Sequence, residues 1–112
     1  MSPDLEALSR EIAATSDAWM VPGADVISAT GQFRLDNSDF VDGRFSWVAP
    51  HDSFRPNLAD PVTVNSLLGT GEARWDATQT YWVATIGKGD AACPTRKHAI
   101  CRAWIAANRE KP

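Results

Sequence analysis

The side chains with the most chemical potential lie between residues 93 and 109. Cys93-Pro94-Thr95-Arg96-Lys97 reads as a helix start, with Pro94 in the first turn and the Cys93 thiol beside unpaired backbone N–H groups. The positive helix end and the two cations would favour a thiolate at Cys93, and the same end could hold an anion. Cys93, Thr95, Arg96 and Lys97 therefore form one candidate site, suited to a small nucleotide or phosphorylated ligand. Further along, His98, Arg102, Ile105 and Arg109 recur at helical spacing and share one face. An apolar residue amid cations is the pattern of an anchor in a partner contact. A solvated helix face is the ordinary alternative.

Other constellations fail on spacing. Cys93, His98 and Cys101 are the one soft-ligand cluster, without a paired C-x₂-C or a second His group. On a single helix the two cysteines would lie roughly 12 Å apart, too far to share an ion or a disulfide. Cys101 then reads as a small buried hydrophobe. A Cys-x₅-Arg phosphatase loop would need Arg at position 99, which is Ala99. His51-Asp52-Ser53 contains triad residue types, but adjacency in a loop is not triad geometry. Gly69-x-Gly71 and Gly87-x-Gly89 lack the residues that complete a phosphate cradle. Asp36, Asp39 and Asp42 are interrupted by Ser38 and Phe40, so they make a solvated acidic loop rather than a calcium loop. No catalytic residue, metal or cofactor is expected.

The elements that must position these residues follow from caps and periodicity. Ser2-Pro3, with Asp4 and Glu6 in the first turn, opens a helix whose stripe is Leu5, Leu8 and Ile12, ending near Thr15. Trp19-Met20-Val21 is an apolar patch closed by Pro22-Gly23. Phe33 and Leu35, then Phe45 and Trp47, alternate with polar residues, and Asp42-Gly43 precedes the second run; two short strands fit. Residues 57–69 read as a second, short helix, capped by Asp60-Pro61 or, for a slightly earlier start, by Asn57. Val64, Leu67 and Leu68 keep helical spacing, and Gly69 is placed to end it. Glu72–Asp76 and Tyr81–Ile86 alternate and are aromatic or β-branched, which predicts an antiparallel hairpin. Gly87-Lys88-Gly89-Asp90 reads as a loop. Ile100, Ala103, Trp104 and Ala107 make the buried stripe of the last helix, and the bulk of Trp75 and Trp82 places them in one core with Trp104.

The order from Asn57-Leu58-Ala59-Asp60, through Arg74-Trp75 and Tyr81-Trp82-Val83-Ala84, to Ala92-Cys93-Pro94 and His98-Ala99-Ile100-Cys101-Arg102-Ala103 resembles the phage α-β-α sandwich domain. Leu5-Glu6-Ala7-Leu8 and Ala18-Trp19-Met20-Val21 also resemble that family's opening. Together these segments touch about two thirds of the chain. The resemblance implies an α-β-α layering and a phage or prophage origin, and it brings no active site.

Composition bounds the rest. The 112 residues fit one domain, and they carry too much apolar and too little repetitive sequence for disorder, collagen or a coiled coil. No apolar run approaches a membrane span and no start resembles a signal peptide, so a cytoplasmic setting in a host cell is expected. Two cysteines do not make a disulfide scaffold. Residues 1–60 hold four Arg against ten Asp and Glu, whereas residues 90–112 hold five basic against two acidic side chains. The overall charge of −3 argues against direct nucleic-acid binding, and the acidic first half could itself mimic nucleic acid. The resulting expectation is an α+β domain, a small, mainly antiparallel sheet with helices on its faces. Its expected role is a non-catalytic accessory protein that binds a host protein, for instance to inhibit a defence system.

Overall fold

A computed structural model describes residues 1–46 and 53–109; Trp47, Pro50, His51 and Asp52 lie outside the described residues. Eight short strands and three α-helices make an α+β fold in which every strand pairing is antiparallel. Helix α1 (Pro3–Thr15) starts as expected, with the Ser2 hydroxyl accepting from the Leu5 N–H and Pro3 in the first turn. It buries Leu8, Ser9 and Ile12, and the Ser9 hydroxyl donates to the Pro56 carbonyl at 2.5 Å.

The first half is richer in strand than its sequence suggests. β1 (Asp25–Ser28) pairs on one side with β2 (Gly31–Arg34) and on the other with β5 (Arg55–Pro56). β3 (Phe40–Val41) and β4 (Arg44–Phe45) form a separate hairpin closed by Asp42-Gly43. Both turn residues have positive φ, the conformation that a two-residue hairpin demands. The Asp36–Asp39 segment is a capping box: Asp36 accepts from the Ser38 amide, and Asp39 accepts from the Asp36 amide. That use of the carboxylates explains the acidic cluster, and the Ser38 hydroxyl and amide hold the Asp36 carboxyl below its ordinary range.

The second half follows its pattern more closely. α2 (Pro61–Leu68) is capped by Asp60 and closed by Gly69 at positive φ. β6 (Glu72–Asp76), β7 (Tyr81–Ile86) and β8 (Gly89–Cys93) form a three-stranded meander, and α3 (Arg96–Arg109) packs on it. Gly87-Lys88 is the expected turn, but Gly89 and Asp90, also expected in the loop, already belong to β8. Gly, Asp and Ala carry little strand preference, so its pairing with β7 decides the conformation. Gly89 is needed there because a Cβ would come within 2.3 Å of the Ala103 carbonyl and 2.4 Å of the Ala107 amide. The other face of this sheet presents Glu72, Arg74, Thr85 and Asp90 exposed.

One apolar cluster joins these parts, with Ile12, Trp19, Val26, Leu35, Leu58, Ile100 and Trp104 among its members. Trp104 and Trp82 contribute to it as expected, but Trp75 is 49% exposed. Trp75 lies on the edge strand β6, so only its Trp82 side is covered.

Candidate functional site

The first candidate, at the start of α3, is assembled differently from its sequence reading. Cys93 is the last residue of β8, paired with Trp82, and the helix begins at Arg96. Pro94 precedes the helix, and Thr95 caps it by accepting from the His98 amide at 3.2 Å. The Thr95 hydroxyl also lies 2.5 Å from His98 Nδ1. The Cys93 thiol is therefore held by a strand and is not an N-terminal residue of the helix, so the expected thiolate loses its geometric basis. Arg96 and Lys97 do occupy the first turn. They line a recess of about 240 Å³ with Pro61, Val64 and Asn65, and the Arg96 guanidinium reaches Asn65 Oδ1 at 3.4 Å.

The second candidate, the face of His98, Arg102, Ile105 and Arg109, keeps its two arginines exposed but buries its apolar residue. Arg102 and Arg109 both reach Glu11 of α1, at 3.3 and 2.5 Å. Ile105 is 2% exposed and cannot anchor an external partner. The expected stripe of Ile100, Ala103 and Trp104 is buried, but the buried surface is wider because α3 packs on the sheet, on α1 and on α2. Its buried positions accordingly run through Ala99, Ile100, Cys101, Ala103, Trp104 and Ile105. Burial pushes the Cys101 thiol up to about 12, which makes it inert.

A third region, which the sequence places in the core, is accessible at Trp75. Trp75, Trp82 and Cys93 form one row across β6, β7 and β8. Trp75 and Trp82 meet edge to face with centroids 5.9 Å apart. On the opposite face of the same hairpin, Tyr81 is 41% exposed and Arg74 is also exposed. The turn that joins the strands is fixed by Asp76, whose carboxylate accepts from the amides of Thr78 and Gln79 at 3.0 and 3.3 Å. Trp75 on one face of the hairpin end, and Tyr81 with Arg74 on the other, thus flank a braced turn, with Trp75 and Arg74 on the edge strand. Edge position is the signal that sequence reasoning lacked, because alternation identifies a strand's two faces and not its neighbours.

The described residues contain no group of three or more His, Cys, Asp and Glu able to hold a metal ion. Their helices include none long and apolar enough to cross a membrane. The chain matches no protein-family model, no curated protein and no solved structure. The functional argument therefore rests on the site itself.

Proposed function

We propose that this chain is a small non-catalytic binding protein that engages a host protein through the end of the β6–β7 hairpin. The observation that carries this reading is the exposure of Trp75 on one face of the hairpin end, and of Tyr81 with Arg74 on the other, next to a turn braced by Asp76. Trp, Tyr and Arg dominate the binding energy of protein interfaces, and solvent exposure of two large aromatics costs a small domain solubility. The narrower form of the proposal is an accessory protein of phage or prophage type, acting in the host cytoplasm and inhibiting a defence component. It draws on the resemblance of the hairpin and last helix to the phage α-β-α sandwich domain.

A photo-crosslinking amino acid placed at position 81, in cells that contain the target, tests the interface. A discrete adduct that disappears in Trp75→Ala supports it. An adduct formed only from position 102, on the α1–α3 side, would move the interface away from the hairpin.

A second reading keeps a small nucleotide or phosphorylated ligand near Cys93, Thr95, Arg96 and Lys97. The exposed indole of Trp75, in the row that ends at Cys93, offers a stacking surface close in sequence register to those cations. Titration with a nucleoside monophosphate, read as resonance shifts of Arg96 and Lys97, decides between the two.

A further inference from the structure

The two Gly-x-Gly segments that fail as phosphate cradles come together in the fold. Gly69-Thr70 follows α2, and Gly87-Lys88 forms the β7–β8 turn; all four residues line a groove of about 620 Å³. That volume lies within the range of small-molecule sites. Leu67, Leu68, Ile86 and Trp104 supply apolar wall, and the last turns of α3 close one side through Ala107 and Asn108.

The glycines set the groove's shape. Gly71 and Gly89 allow close backbone approach, since a Cβ at Gly71 would lie 2.4 Å from the Thr85 carbonyl. Gly69 and Gly87 adopt positive φ at the rim, which leaves backbone where side chains would otherwise narrow the opening.

Most polarity at this end is already used. The Gly69 amide donates to the Asn65 carbonyl at 3.0 Å and the Gly71 amide to the Leu68 carbonyl at 2.8 Å, which satisfies the closing carbonyls of α2. Asn108 Nδ2 donates to the Trp104 carbonyl at 2.8 Å. Lys88 is the only charged residue in the lining, and it pairs with no carboxylate among the described residues. A groove with an apolar wall, and at its rim one ammonium that meets no described carboxylate, fits a ligand with an apolar body and a single anionic head. We infer that this groove binds a small amphiphilic carboxylate, with its hydrocarbon on Leu67, Leu68 and Trp104 and its head on Lys88. The site is separate from the hairpin end proposed for the protein partner.

The test is a titration of the ¹⁵N-labelled protein with decanoate, decanol and decylamine, each kept monomeric, followed by backbone and indole resonances. Decanoate should shift the amides of Thr70 and Lys88 and the Trp104 indole, and should bind at least tenfold more tightly than decylamine. Lys88→Ala, an exposed substitution that leaves the fold intact, should weaken decanoate about tenfold and leave decanol unchanged. Shifts centred on Trp75, equal affinity for the acid and the amine, or an unchanged decanoate affinity in Lys88→Ala would each overturn the assignment.

Discussion

The sheet β2–β1–β5 is tied to α2 by polar side chains, whereas the meander β6–β7–β8 is tied to α3 by close backbone approach. In the first region the Asp25 carboxylate, 6% exposed, accepts from Gln32 at 2.7 Å and Asn57 at 2.8 Å. The Asp25 amide donates to the Thr63 hydroxyl, which in turn donates to Asp60. Asp60 also caps α2 and takes Arg34 in a two-point contact, at 3.1 and 3.2 Å. In the second region, Gly89 and the small residues Ala99 and Ala103 bring helix and strand together with no comparable polar network. The first depends on charge and the second on volume.

The largest effect should come from volume in the second region. Trp104→Ala removes a nearly fully buried indole and should cost about 3–5 kcal/mol, measured by urea denaturation. Gly89→Ala comes next. Its methyl meets backbone atoms of α3 that cannot swing aside, and overpacking of this kind costs about 1–3 kcal/mol. A neutral result for Gly89→Ala would show that α3 slides freely on the sheet and would erase the contrast between the regions.

Charge removal in the first region should cost less and depend on pH. Asp60→Ala loses a helix cap, which should cost about 0.5–2 kcal/mol near neutrality. Arg34, then the Thr63 hydroxyl, hold the Asp60 carboxyl below its ordinary range, and Arg55 does the same for Glu6. A carboxylate whose folded value is depressed contributes stability above its unfolded value and loses it as pH falls through the folded one. The wild-type urea midpoint should therefore hold between neutrality and about pH 5 and fall below about pH 4. In Asp60→Asn that fall should be shallower. An identical acid profile would mean that the polar network carries no linkage.

The smallest structural effect separates the cysteines. Cys93, half-buried on β8, should alkylate readily in the native state, while Cys101 should react only on unfolding. Mass spectrometry of the modified peptides reads both. Native-state modification of Cys101 would place α3 in a looser position than its packing implies.

What was legible in the chain divides along local and non-local lines. Ser2-Pro3 and Asp60-Pro61 announce helix starts through chemistry that acts within one turn, and both helices begin there. The β6–β7 hairpin is equally local. β1, β5 and β8 were not legible, since Asp25, Pro56 and Gly89 are poor strand formers held by partners far away or by tertiary packing. The candidate site suffered most. Ile105 and Trp75 were assigned opposite environments to those they have, because burial on α3 depends on α1, and exposure on β6 depends on where the sheet ends.

The proposed function gives the exposed hairpin end to binding and leaves the buried parts to stability. Trp75→Ala tests it when two quantities are read on the same protein: the urea midpoint and the yield of the adduct from a crosslinker at position 81. The aromatic pair with Trp82 is worth about 0.5–1.5 kcal/mol beyond the area it buries, and Trp75 is half covered, so stability should fall by less than the ~3–5 kcal/mol of Trp104→Ala. Adduct yield should fall at least tenfold, as for loss of a hot-spot residue. An unchanged adduct, or a stability loss of about 3 kcal/mol or more, would contradict the claim and return Trp75 to the core.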